Sequence, residues 1–312
     1  MTCSQGWQTS VYMKVSSSSG ISPDALITHV STDQIDFLSE DFKISDRYQD
    51  DGDIRGKREQ FIHSVRLAGN SITGQLKLLA CPGTLLNFLR YVTGSTSSPY
   101  TPQDTLDELS AMVRKIGVRR QYNQLVCAGL TLEASQGGPF IVTSNYVGKT
   151  EVENPTSDPA LLAAYPSQYW NPYMLSDAVV TIGGTAVGVA KVSLKLDNVL
   201  SVNTLNSLAP TNICTQGSIV TLSLTSLAAD LRAALYDTSG MVSNGLGKPP
   251  GVIAQITLTH PLGSILVIDC ANWVIPRTEG GTSGRGDINT TFSGRCYGTI
   301  GTNSAVKFTY TP

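Results

Sequence analysis

The chain repeats itself. Residues 73–94 (TGQLKLLACPGTLLNFLRYVTG) match residues 219–240 (IVTLSLTSLAADLRAALYDTSG) without a gap at an offset of 146. Leu76, Leu78, Leu85, Leu89 and Gly94 fall on Leu222, Leu224, Leu231, Leu235 and Gly240. Upstream, Phe42-Lys43-Ile44 matches Leu194-Lys195-Leu196. Downstream, Leu130-Thr131-Leu132 matches Ile256-Thr257-Leu258, and Asn145-Tyr146-Val147 matches Asn272-Trp273-Val274. The order is the same in both halves and only the loops differ in length. The expectation is two copies of one fold: an N-terminal arm 1–29, a first repeat 30–153, a linker 154–174 and a second repeat 175–312. A length of 312 residues agrees with about two domains.

Strands dominate the pattern. In Ala190–Asp197, Val192, Leu194 and Leu196 point one way and Lys191, Ser193, Lys195 and Asp197 the other. Thr73–Leu78 and Val220–Thr225 alternate likewise, which predicts sheets with one apolar and one polar face. The period then changes: Leu85, Phe88, Leu89 and Val92 form a helical stripe, repeated by Leu231, Ala234 and Leu235. Helices are predicted at 83–93 and 227–236, with Ser226 capping the second and Gly94 and Gly240 at the ends. Segment 106–116 suits helix or strand, and strand is preferred. Hairpins are predicted where 130–133 meets 140–143 and where 256–259 meets 265–269. The proline-rich linker carries a start signal for a short helix at Ser157-Asp158-Pro159. Polar loops are predicted at Asp46–Glu59 and Asn198–Gly217.

Composition excludes more than it suggests. Charged residues are only 15% of the chain and the net charge is -2, so no basic patch marks tight phosphate binding. Cys3, Cys81, Cys127, Cys214, Cys270 and Cys296 show no metal-ligand spacing and read as reduced, partly buried thiols. The Arg285-Gly286-Asp287 tripeptide is turn sequence. Asp50, Asp51 and Asp53 lack the later Glu of a calcium loop. No nucleophile motif accompanies His29, His63 or His260, so neither enzyme activity nor a cofactor is expected. No signal peptide or membrane span is read, and synthesis in the cytoplasm is the expectation.

With the strand Val192-Ser-Leu-Lys-Leu-Asp197, the strand and helix of Val220–Leu235, the hairpins with Leu130–Leu132 and Ile256–Leu258, and the closing strands 287–296 and 305–311, the chain resembles the tail tube proteins of tailed bacteriophages. The likeness is to the duplicated type of long, non-contractile tails and covers most of 30–312. It implies a mainly β protein of two tandem β-sandwich or half-barrel domains, each with one packed helix, closing into a ring barrel. It implies a structural virion protein, made in the host bacterial cytoplasm, whose stacked rings conduct DNA. Its partners would be itself (a trimer with pseudo-sixfold symmetry, or alternatively a hexamer), the tape measure, terminator and distal tail proteins, and double-stranded DNA passing non-specifically. Residues expected to face the lumen are Lys43, Gln75, Lys77, Lys191, Lys195, Asp197, Thr221 and Ser223, with Asp41 and Asp197 offsetting the lysines. Residues expected at contacts between rings or subunits are Asp50, Asp51, Asp53, Arg55, Arg58, Leu200, Leu205, Leu208 and Ile213. Competing readings are another tail component (a terminator or baseplate hub), an injection-machine tube, or a two-domain β-rich surface or carbohydrate-binding module.

Overall fold

The computed structural model describes residues 9–16, 27–50, 65–115, 118–153, 155, 171–204, 207–227, 251–275, 289–299 and 303–312. The first half contains β1 (Ser10–Val15), β2 (Gln34–Ile35), β3 (Ser39–Asp50), β4 (Val65–Leu79), the helix α1 (Pro82–Thr93), β5 (Leu109–Lys115), β6 (Val118–Ser135), β7 (Ile141–Gly148) and β8 (Thr150–Glu153). The second contains β9 (Ala178–Ile182), β10 (Thr185–Val187), β11 (Lys191–Asn203), β12 (Asn212–Leu227), β13 (Val252–Thr259), β14 (Ile265–Val274), β15 (Asn289–Cys296) and β16 (Val306–Thr311). The fold is mainly β, and α1 is the one α-helix among the described residues. All the named pairings are antiparallel.

In each half one long strand serves two sheets. The first half pairs in the orders β2-β1-β5-β6-β8 and β3-β4-β7-β6. Here β6 meets β8 through Arg120–Asn123 and β7 through Val126–Glu133. The second half pairs in the orders β10-β9-β13-β14-β16 and β11-β12-β15-β14. Here β14 meets β16 through Ile265–Cys270 and β15 through Trp273 and Val274. The backbone turns the corner at Gln124 in β6 (φ +51°) and at Asn272 in β14 (φ +43°), the only non-glycine residues with positive φ among those described. Such conformations bend a strand sharply but are costly for L residues.

Three geometric features recur at one spacing. The corner residues 124 and 272 are 148 positions apart. So are the bulge residues skipped in the hairpin ladders, Ala68 on β4 and Gln216 on β12. The rung Gly74↔Tyr146 likewise corresponds to Leu222↔Gly294. The offset of 146 read from residues 73–94 is therefore two short, and the match of Leu130–Leu132 with Ile256–Leu258 joins strands in different places. By pairing order, β13 stands where β5 stands and β14 where β6 stands. A period-2 pattern survives a shift of two because the same residues stay inward, so alternation alone does not reveal the error.

The core explains the elements. Leu85, Phe88, Leu89 and Val92 of α1 are all buried. Pro82 starts the helix, and Gly94 (φ +75°) ends it with its N–H on the Arg90 carbonyl. Phe42 stacks on Tyr122 and Tyr146 with ring centroids 5.4 and 5.8 Å away. It leaves no room opposite: a Cβ on Gly74 would sit 2.2 Å from the Phe42 ring. The halves share one sheet, since β6 pairs β11 from Gly129↔Asp197 to Ser135↔Lys191. Buried Asn198 pins that seam, donating to the carbonyls of Val92 (2.9 Å) and Cys127 (3.0 Å).

Four expectations need correction or limits. Of the expected loops, 198–217 is largely hairpin arm, because β11 runs to Asn203 and β12 starts at Asn212; of 46–59, residues 46–50 belong to β3 and 51–59 lie outside the described residues. Ser226 lies inside β12 and donates its hydroxyl to the Gly188 carbonyl, so it does not cap a helix. The helix expected at 227–236 and the linker-helix start at Ser157-Asp158-Pro159 fall outside the described residues, apart from Leu227, which ends β12. The ambiguous 106–116 segment contains the strand β5.

Candidate functional site: the polar face of the long sheet

The strands β3-β4-β7-β6-β11-β12-β15 run edge to edge, and β14 touches the end of the series through two rungs. Registers across them place side chains in rows. One row reads Ser39, Lys77, Thr143, Thr131, Lys195, Thr221, Arg295. A second reads Asp41, Gln75, Asn145, Gly129, Asp197, Ile219. A third joins Glu133, Ser193, Ser223 and Ser293. The residues between them, such as Leu76, Leu132, Leu194 and Leu222, are buried. Alternation thus puts Lys43, Gln75, Lys77, Lys191, Lys195, Asp197, Thr221 and Ser223 on a single face.

Side chains tie that face across strands. Gln75 donates to Asn145 at 3.0 Å, Ser223 to Ser293 at 2.7 Å, and the Thr225 and Thr291 hydroxyls lie 2.8 Å apart. Such cross-strand pairs each contribute a few tenths of a kcal/mol, up to about 1. Lys43 pairs with Asp41 at 2.9 Å and Lys195 with Asp197 at 2.8 Å. Both pairs are largely exposed and so add little to stability.

Compensation is only partial. Among the described residues, Lys77, Lys191 and Arg295 have no carboxylate partner. Arg295 is the cation that sequence reasoning missed; its strand, alternating Thr291, Ser293 and Arg295 outward, carried the signal. Among the described side chains of this face, five cations (Lys43, Lys77, Lys191, Lys195, Arg295) stand with three carboxylates (Asp41, Glu133, Asp197). On these described side chains Asp41 and Asp197 offset Lys43 and Lys195 but leave a small excess of positive charge.

The expected contact residues scatter. Leu200 and Ile213 are paired in the β11–β12 hairpin, Leu208 is exposed near its tip, and Asp50 ends β3. Asp51, Asp53, Arg55, Arg58 and Leu205 lie outside the described residues. No group of three or more His, Cys, Asp or Glu suited to a metal occurs among the described residues. Cys81, Cys127, Cys270 and Cys296 are buried free thiols, and burial pushes Cys127 up to about 12, so it stays protonated and unreactive. No helix among the described residues is long and apolar enough to cross a membrane.

A broad polar face on a sheet shared by both halves is the architecture of a structural β protein. The sequence profile of the phage tail tube proteins matches residues 6–296, nearly the whole chain. The chain belongs to that family. It is a phage tail tube protein and a component of the virion. None of the curated proteins compared with it matches.

Proposed function

We propose that this chain is the tube subunit of a long, non-contractile tail, in which three copies form each ring and stacked rings conduct the genome during ejection. Each chain supplies two copies of one domain, bounded near residues 30–153 and 175–312. The common pairing order, the 148-residue spacing of corners and bulges, and two matched turns support duplication. In those turns the Val30 amide donates to Asp33 at 2.9 Å and the Met174 amide to Asp177 at 3.0 Å.

One observation carries the ring. Among the described residues β3 pairs only with β4, whereas its counterpart β11 pairs with both β12 and β6. An open antiparallel edge invites another chain, and the seam inside the chain is the pattern for the seam between chains. The long sheet has four strands from each half. Six halves would bring about 24 strands, spaced about 4.8 Å and tilted about 45°, into a barrel with a backbone diameter on the order of 50 Å. Duplex DNA passes through such a bore. The polar face lines it and the tape measure protein fills it before ejection, with the terminator and distal tail proteins at its ends. Head-to-tail stacking of rings extends the tube.

Cryo-electron microscopy of the purified protein tests this reading. Hollow tubes with three chains per ring and the Lys195 face inward are expected. Six chains per ring, or a bore lined by another face, overturns it.

A further inference from the structure

Away from the β6–β11 seam, the second half also reaches back to β4: the Asn70 amide donates to the Leu208 carbonyl at 2.7 Å. Asn70 stands on β4 just past the last rung with β7, Ile72↔Gly148. Leu208 belongs to the connection between β11 and β12. The tip of the second hairpin thus continues the β4 ladder where β7 stops. The residue 148 positions beyond Asn70 is Ser218, which stands on β12 just past its last rung with β15, Val220↔Cys296. The Gln136 amide on the Ala190 carbonyl turns the even-numbered residues of β11 towards β6, so the Asn198↔Ser218 rung is a non-hydrogen-bonded one and the Ser218 amide points away from β11. Outside the ladders no carbonyl among the described residues meets it. Instead Ser218 lines an open groove of about 320 Å³, together with Pro102, Asp104, Asn198, Thr215 and Gly217.

The seat on β4 is filled by the hairpin that follows it in the sheet. The seat on β12 calls for a hairpin following β14, and none stands in that place among the described residues. Its own β3–β4 hairpin lies on the far side, separated from β12 by β7, β6 and β11. We infer that this groove receives the β3–β4 hairpin of a second copy of the chain. That hairpin carries the same bulge as β11–β12 and holds the free edge of the sheet. The Ser218 amide is the donor that the incoming carbonyl meets, and the groove walls give the tip a place between β12 and the residues after α1. The inference rests on the ring reading and specifies where one subunit grips the next.

Two variants test it. In Ser218→Pro the donor is gone, while the β11–β12 ladder is spared because that amide points away from β11. It should melt as the wild type does, yet need at least tenfold more protein to assemble. In the Cys214→Ser background, Gln60→Cys (the counterpart of Leu208 at the same spacing) and Ser218→Cys should cross-link between chains under oxidation. The covalent ladder should end at three. Failure of the wild-type chain to form rings overturns the ring and the groove's occupant together. Rings that form without the cross-link, with Ser218→Pro assembling at the wild-type concentration, overturn the occupant alone.

Discussion

Gln124 and Asn272 hold the two strained corners, and each lets one strand serve two sheets. Asn tolerates the left-handed region and here also donates to the Tyr297 carbonyl and the Thr299 hydroxyl, both at 3.1 Å. Gln124 has no such tolerance, so Gln124→Gly should leave stability unchanged or raise it by up to about 1 kcal/mol, whereas Gln124→Val should cost at least about 1–2 kcal/mol. Thermal denaturation of both variants checks the sign. His29 is buried with its Nε2 3.1 Å from the Ser110 hydroxyl. Burial and then the Lys14 ammonium push it down to about 4. Asp33 lies 3.8 Å from its Nδ1. The unfolded chain takes up that proton near 6.5 and the folded chain only near 4. Stability from this residue is therefore intact above about pH 6.5 and declines as pH falls towards 4, by an amount on the order of 3 kcal/mol. Denaturant titrations at pH 7 and pH 4.5 should show the loss, and His29→Gln should remove much of the difference.

At the scale of elements, Asn198 joins three of them: it sits on β11 and donates to the end of α1 and to β6. Asn198→Ala leaves two buried carbonyls without their donor, and a loss of about 2–4 kcal/mol is expected in urea unfolding. The helix α1 was legible because its stripe and its terminal Pro and Gly agree. The β6–β7 and β13–β14 hairpins were legible because turn residues separate alternating runs. The register between halves was not. Leucines at period 2 match equally well two residues along, and what fixes the spacing is the bulge and the corner, which leave no mark in hydrophobic pattern. The role of β6 was hidden for the same reason: Val118–Ser135 reads as one strand, and only Gln124 divides it. The polar face was legible residue by residue, since alternation sorts sides, but Arg295 was not, because its place beside Thr221 follows only from the β12–β15 pairing.

At the scale of the whole molecule, Lys77, Lys191 and Arg295, which have no carboxylate partner among the described residues, would in the proposed tube set how the face meets a polyanion. Each phosphate neutralised adds salt dependence to binding, with a slope near −0.9 per contact for duplex DNA. Replacing the three by Gln should flatten the salt dependence of DNA retention by assembled tubes; an unchanged slope would place these side chains away from the DNA. The β6–β11 seam has a different consequence, for how the chain comes apart. Seven rungs and the Asn198 clasp cross the boundary between halves, so melting one half strips the other of an edge and of its helix anchor. Calorimetry should accordingly record one transition in which the calorimetric and van't Hoff enthalpies agree, and the first half expressed alone should melt well below it. On that outcome the cooperative unit is the chain, and neither half by itself.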